Sequence, residues 1–509
     1  MAHKWWTLTA VCTGVFMLLI DITIVNVALP DIERGFNASL SDLQWVIDAY
    51  ALTLAAFLLT AGSLADLYGR RKLFAVGIAI FTLASLSCGV ATSSLFLVLA
   101  RGVQGVGGAI MFATSLALLA QAFQGKDRGV AFGAFGAVTG VAIAIGPVLG
   151  GALTSGVSWR WIFYVNVPIG VLALIVTLLH VEESRDPSAT RPDWIGFVTF
   201  STGLAALVFG LIHSNTDGWG SGTVIGSLAA ATALLAAFLV AELLQSEPML
   251  DLRLLRVPTF DGGLVAAWAI SASIFSALTF LVLYLQNILG LTALATGVRF
   301  LPLTGAIFLT AGIAGRLTVR VPRRLLIAPG FVLVAGGMLL MRGLTMASGW
   351  THLLPGMIVA GIGAGLVNVP LISTAVGVVE PARAGMASGI NSTLRQVGVA
   401  TGVAALGSLF ASQVRSTVIS HLVDTPLAPH AHQIAHGIST DGATHAISAS
   451  PAPLRGLLAG AARAGFVAGL NEILLAGAIV AFAGALASLA LVHERDFITT
   501  DQDAVAVVA

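Results

Sequence analysis

The chain has 509 residues, of which 57% are hydrophobic and only 10% are charged, and its formal net charge is +1. Soluble domains carry about 25% charged residues, so this composition excludes a chain whose surface faces water throughout. We expect an all-helical, polytopic membrane protein, and the near-zero net charge gives no reason to expect nucleic acid as a partner. The two cysteines, Cys12 and Cys88, lie in apolar runs and support neither a disulfide framework nor a metal site.

Hydrophobic windows of helix length occur fourteen times along the chain. They fall at about 6–29, 43–64, 73–92, 95–120, 129–153, 161–180, 194–213, 223–242, 262–287, 295–315, 325–346, 352–376, 385–410 and 465–492. With the N-terminus inside, sixteen of the 25 Lys and Arg residues lie in cytoplasmic segments and six in outer ones. This bias predicts a multi-pass protein of the plasma membrane with both termini in the cytoplasm.

Charged side chains occur inside three of these windows. Asp21 lies near the middle of the first window, Asp48 in the second and Arg101 in the fourth. At ~1.5 Å per residue they lie about 12, 8 and 9 Å below the outer ends of their spans. We expect them to share a layer and to form a proton-coupling site, because ionisable groups inside a membrane are costly and usually functional. The alternatives are a carboxylate at Asp21 that snorkels outward or pairs structurally, and an Asp48 that merely faces the outer headgroups.

A basic loop follows the second window and recurs later in the chain. Gly62 and Gly69 permit close packing and a tight turn, and Asp66 is suited to the positive N-terminus of a neighbouring helix. Arg70 and Arg71 would anchor the loop at the inner leaflet.

The second copy of this loop, 315–324, aligns with 62–71 and indicates two repeated halves of six spans. We therefore expect an N-terminal six-helix bundle at 1–190 and a C-terminal bundle at 256–509. Two inserted helices would occupy 191–255. The substrate cavity would lie between the bundles.

The fifth window carries small residues at helical spacing. Gly136, Gly140 and Ala144 lie four apart and favour close helix contact, and the Gly146-Pro147 pair favours a kink. Two further glycines, Gly150 and Gly151, follow.

Polar residues inside other windows are candidates for the lining of the cavity. They are Asn26, Gln104, Gln286, Asn391 and Arg395.

The segment 411–463 is predicted to be a long outer loop, because it is not apolar and holds half of the ten histidines. His432 and His436 are one helical turn apart, so a metal site is conceivable. A solvated, partly disordered loop is favoured, because no cysteine or carboxylate cluster accompanies the histidines.

Several motifs resemble those of the major facilitator superfamily. The segment 62–72 is similar to its loop between spans two and three, 97–109 to its fourth-span motif with an embedded arginine, and 140–151 to its antiporter motif. The segments 159–170 and 391–398 look like those of the fourteen-helix drug:proton antiporter family. The chain departs from the pattern at Leu67, where the family often has a basic residue, and at Val319, which replaces Asp66 in the second copy.

The resemblance implies the major facilitator fold and a proton-coupled antiporter that exports lipophilic, cationic drugs by alternating access. The alternative on the same fold is an exporter of an endogenous metabolite, a lipid or a self-made antibiotic. A membrane enzyme is disfavoured, because no nucleophile, base or metal-ligand set converges at membrane depth. We expect a monomer in a bacterial inner membrane, with a small molecule and the bilayer as partners. Protons serve as the coupling ion, without a catalytic, cofactor or metal site.

Overall fold

Membrane-length helices make up most of the computed structural model. It describes residues 2–123, 126–185, 192–245, 248, 250, 252–318, 321–379, 384–440 and 451–497. Within these ranges no residue lies in a β-strand. Thirteen helices are long and apolar enough to cross a membrane, and a bent pair, Ala134–Ala142 and Ala144–Gly156, supplies a fourteenth. The prediction of an all-helical protein with fourteen spans is confirmed.

The helices overlap the predicted windows. The helices are, in chain order, α1 Ala2–Phe36, α2 Leu40–Tyr68, α3 Arg70–Gly89, α4 Ser94–Ala122, α5 Lys126–Gly156, α6 Trp161–His180, α7 Trp194–Asp217, α8 Gly222–Leu244, α9 Pro258–Ile288, α10 Ala293–Leu317, α11 Arg324–Met341, α12 Leu354–Gly377, α13 Ala384–Leu422, the short α14 Ala431–Thr440, and α15 Arg455–Leu491.

Local sequence explains where several of these helices begin and bend. Ser39 accepts a hydrogen bond from the Asp42 amide at 3.1 Å and Asp42 accepts one in return from the Ser39 amide at 2.9 Å, which is a capping box for α2. The 41° bend of α5 falls at residue 143, four residues before Pro147. Proline has no N–H to donate to that carbonyl and its ring clashes with it, so the expected kink is present.

The helices pack as two groups with an additional pair at the side. Helices α1–α6 contact one another, as do α9–α13 and α15, and the groups meet where α5 packs on α10 and α2 on α13. Helix α7 packs on both α2 and α13, while α8 packs on α7. This arrangement agrees with two six-helix halves and an inserted pair. The expected boundary at 190/191 lies outside the described residues, so the domain limits stay a prediction.

The segment 411–463 differs from its prediction as a solvated loop. Helix α13 continues to Leu422, α15 already begins at Arg455, and α14 packs against α13. Ala431, Ala435 and Ile438 of α14 are buried, because small apolar residues three and four apart form one face of this helix. The prediction of a loop is therefore wrong for much of the segment, and 441–450 lie outside the described residues. His432 and His436 are on the exposed face of α14, and no group of three potential metal ligands occurs among the described residues.

Candidate transport site: a buried charge cluster and the seam between the halves

A buried ion pair lies at the centre of the N-terminal half. Arg101 donates from Nη1 to Oδ2 of Asp21 at 2.5 Å, and the two side chains are 2% and 0% exposed. The other carboxylate oxygen, Oδ1, accepts hydrogen bonds from Gln104 at 2.9 Å and from Asn166 at 3.2 Å. Asp21 therefore has a donor on each of its oxygens and a guanidinium as its counter-charge.

The arginine of this pair is held by α2 as well. Its Nε donates to the carbonyl oxygen of Val46 at 3.2 Å, and its guanidinium carbon lies 4.2 Å from the ring centroid of Tyr50. Gly105 allows this approach, because a Cβ there would lie 2.5 Å from the Tyr50 carbonyl oxygen. The predicted neighbourhood of Asp21 and Arg101 is thus present, and α2 contributes its backbone and an aromatic face to it.

Two members of the cluster were not anticipated from the sequence. Asn166 at the start of α6 bonds both Asp21 and the Ser85 hydroxyl, the latter at 3.1 Å, and Ser85 in turn donates to the Phe163 carbonyl at 3.0 Å. The only available signal was a polar residue inside an apolar run. Such residues are common enough that depth alone does not select them.

Asp48 differs from Asp21 in having no partner. It is 0% exposed, and neither carboxylate oxygen accepts a hydrogen bond within the described part of the chain. It therefore does not face outer headgroups, as one alternative held. Its predicted role in proton coupling stays a prediction.

The basic loop after α2 is hydrogen-bonded to the residues that follow α6. Asp66 pairs with Arg70 at 2.8 Å, and its expected position at a helix N-terminus stays a prediction. That position at α3 is taken by Glu183, whose carboxylate accepts the Arg71 amide at 3.0 Å. Gly69 has φ +117° and lies directly under the Glu183 carboxylate, so glycine is required there. The close packing expected at Gly62 is wrong, since a Cβ there would meet no described atom within 4 Å.

The glycines of α5 bring the two halves into backbone contact. A Cβ on Gly151 would collide with the Ala293 carbonyl of α10, and one on Gly297 of α10 would collide with the Pro147 carbonyl of α5. A Cβ on Gly140 would lie 3.0 Å from the Phe308 ring. Of the predicted small-residue stripe, Gly140 therefore permits close contact with α10, whereas a Cβ on Gly136 would meet no described atom within 4 Å, so the prediction is wrong for Gly136.

The other glycines of this motif pack within the N-terminal half. A Cβ on Gly146 would meet the Thr23 hydroxyl and one on Gly150 would lie 2.8 Å from the Ile24 carbonyl, so both hold α5 against α1.

Hydrogen bonds join the halves at one end of the bundle, which we call the Asn37 end after the turn between α1 and α2. Thr279 donates to Asn26 Oδ1 at 3.1 Å, and Gln286 donates to the Val27 carbonyl at 2.7 Å. Nearby, Asn287 donates to Glu33 at 3.0 Å. Asn26 and Gln286, expected in the cavity lining, therefore bond across the seam in this conformation.

Comparison with known proteins identifies the family. The family model of the Major Facilitator Superfamily matches residues 11–403. The chain belongs to the Major Facilitator Superfamily. It is a multi-pass membrane transporter and not an enzyme.

Relatives within the Major Facilitator Superfamily are resistance and export proteins. The chain is 38% identical to the multidrug resistance protein Stp of Mycobacterium tuberculosis, over 83% of this chain and 80% of that protein. It is 33% identical to the tetracenomycin C resistance and export protein of Streptomyces glaucescens, over 97% and 93%. A solved bacterial homolog of the human lysosomal transporter Spinster, inward-facing and occupied, has a TM-score of 0.62 at 15% identity, covering 98% of this chain and 99% of that one. This likeness shows the shared superfamily fold.

Two predicted cavity groups of this Major Facilitator Superfamily chain lie on α13. Asn391 is 3% exposed, and its Nδ2 donor has no partner in the described structure. Arg395, one helical turn further, forms no hydrogen bond or ion pair with any described residue. Gln104 instead belongs to the Asp21 cluster.

Proposed function

We propose that this chain is a proton-coupled antiporter that exports lipophilic drugs or antibiotics across a bacterial plasma membrane. The names of its relatives support the cargo class, since they include proteins for multidrug, puromycin and tetracenomycin C resistance. The working unit is a monomer, and the coupling ion is the proton, with no cofactor.

The proposed topology places both termini inside, so the Asn37 end faces outward. Because the halves are bonded to each other at that end, this conformation is closed to the outside. Substrate would enter from the Gly69 end, and separation of α5 from α10 would then release it. The backbone contacts at Gly151 and Gly297 are the part of the seam that must break during this step.

Proton coupling rests on the contrast between Asp21 and Asp48. A buried carboxylate without a hydrogen-bond donor is too costly to remain charged, so Asp48 is neutral and holds a proton in this conformation. Asp21 accepts hydrogen bonds from three donors, one of which is the Arg101 guanidinium that supplies its counter-charge. The contrast between the paired Asp21 and the unpartnered Asp48 is the observation that carries the proposal.

The same pairing bears on the charge of the substrate. The sequence predicted a proton-coupling site at Asp21 and a cationic substrate, but the charge of Asp21 is already matched by Arg101. If one proton enters per cation expelled, exchange is electroneutral and each pH unit supplies ~1.4 kcal/mol. If both carboxyls cycle, voltage contributes ~2.3 kcal/mol per 100 mV in addition.

Transport into proteoliposomes under an imposed pH gradient tests the proposal. Asp48→Asn should abolish accumulation driven by the gradient while retaining substrate binding, because an amide cannot carry the proton. Asp31→Asn is the control, since this carboxylate is on the same side of the protein but in a surface pair with Arg34. Accumulation by Asp48→Asn equal to wild type would refute the role of Asp48, and no gradient-driven transport by the wild type would refute proton coupling.

Export of a compound made by the producing cell is the second candidate. It is favoured by relatives from Streptomyces that are a tetracenomycin C export protein and a probable actinorhodin transporter. A panel that includes extracts of the host cell beside known drugs separates the two, because a dedicated exporter would accumulate one compound and leave the drugs untouched.

A further inference from the structure

Arg395 lies near the middle of the membrane. It is eleven residues from the start of α13 at Ala384, which is about 16 Å along the helix. Helices α2 and α13 run side by side in opposite directions, with Gln44 bonded to the Val403 carbonyl at 3.1 Å and Leu59 in contact with Gly389. Arg395 is therefore level with the centre of α2.

The side chain of Arg395 is turned away from the side of α13 that faces α7. Helix α7 covers that side, where Ala404 packs in one cluster with Val208, and Ser408 bonds Ser214 at 2.9 Å. Arg395 precedes Ala404 by nine residues, and at 3.6 residues per turn this separation is two and a half turns. It is therefore on the opposite face of α13 from α7.

The guanidinium is unpaired but reaches solvent-accessible space. Arg395 has no acceptor among the described residues, yet its nitrogens are not among the fully enclosed atoms that lack a partner, and its side chain is partly exposed. An arginine at this depth that faced hydrocarbon would be very costly. The accessible space beside it is therefore the interior between the two halves.

A second donor without an acceptor is one turn away. Asn391 precedes Arg395 by four residues, so the two side chains are on the same face of α13. Asn391 is 3% exposed and its Nδ2 is unpartnered. Two neighbouring donors without an acceptor form a site for a group that supplies oxygen acceptors and a negative charge.

We propose that Arg395 and Asn391 bind an acidic group of the transported compound, a carboxylate or a phenolate, so that the substrates include lipophilic organic acids. The planar guanidinium offers parallel donors that match a carboxylate, and Asn391 adds a neutral donor. This inference rests on the proposed export function. It also implies a dependence on voltage. An anion that leaves and a proton that enters each move one positive charge inward in effect, so each exchange moves two.

Equilibrium binding to the full chain in nanodiscs tests the inference with three probes that share one aromatic body. These are 1-pyrenebutyrate, its neutral methyl ester, and the cationic pyrenebutyl trimethylammonium, with empty nanodiscs as the background. The wild type should bind the acid about 10- to 100-fold more tightly than the ester, the range expected for a charge-assisted hydrogen bond. Arg395→Gln should remove this preference and leave ester binding unchanged, and Arg395→Lys should keep part of it.

Arg415→Gln, on the same helix and twenty residues nearer the Asn37 end, is the matched control and should retain the preference. The inference is overturned if the wild type binds the acid no more tightly than the ester, or if Arg395→Gln weakens all three probes equally. A loss of acid preference in Asp48→Asn would also overturn it, since the acid would then depend on α2 and not on α13. Binding is measured without a gradient, so failure of proton coupling would leave this result intact.

Discussion

Asp21→Asn and Asp48→Asn replace similar buried carboxyls by the same amide, yet we expect a large loss of stability from the first and little change from the second. In Asp21→Asn the guanidinium of Arg101, which is 2% exposed, loses its counter-charge. Removing one partner of a buried ion pair costs about 3–5 kcal/mol, because the remaining charge is uncompensated. In Asp48→Asn no partner is lost, so we expect a change within about 1 kcal/mol.

Unfolding of the purified protein in detergent, followed by the signal of its tryptophans across a denaturant series, measures the difference. At 1.4 kcal/mol per factor of ten, the Asp21 loss corresponds to roughly 140- to 3700-fold in the folding equilibrium. Adding Arg101→Gln to Asp21→Asn should recover part of the loss, because the uncompensated charge is then removed.

Equal destabilisation by the two asparagine variants would refute this reasoning, since it would mean that Asp48 has a strong partner or that Asp21 has a weak one. Failure of Arg101→Gln to recover stability would show that the loss arises from the hydrogen bonds of Gln104 and Asn166 instead of the charge.

Two further predictions concern the seam and the topology. Gly297→Ala should push α10 from the Pro147 carbonyl and so lower cross-linking between cysteines placed at Ser155 and Leu294. Gly305→Ala, which has open space at its Cβ, is the control and should leave cross-linking unchanged. Equal cross-linking in the two variants would contradict the close contact between α5 and α10. A cysteine at Gln433, on the exposed face of α14, should be labelled in intact cells by an impermeant reagent, and protection until lysis would reverse the proposed orientation.

The sequence alone predicts that Asp21 and Arg101 are neighbours. Each is a charge inside an apolar span at a similar depth, and an unpaired arginine there needs a partner. The contact with Asn166 could not be predicted in this way. A neutral amide in an apolar run carries no requirement for a particular partner, and the approach of α6 to α1 depends on packing in three dimensions.

The segment 411–463 was misjudged because its overall polarity was taken to indicate a loop. Ala431, Ala435 and Ile438 are spaced three and four apart, so they lie on the face of α14 that is buried against α13. His432 and His436 lie on the other face. The prediction of a solvated loop rested on composition, whereas the structure depends on the spacing of a few apolar residues.

The unpaired charges are divided between the halves, and this division suggests how cargo and protons could be linked. In the N-terminal half, Asp21 and Arg101 neutralise each other, whereas Asp48 is a buried carboxyl whose two oxygens have no partner among the described residues. In the C-terminal half, Arg395 is a cation with no described counter-charge. An acid bound at Arg395 would leave the C-terminal half uncharged at mid-depth during the outward step, and a proton on Asp48 would leave the N-terminal half uncharged during the return. Because the acid and the proton then cross the membrane in opposite steps, this division of the two groups agrees with antiport.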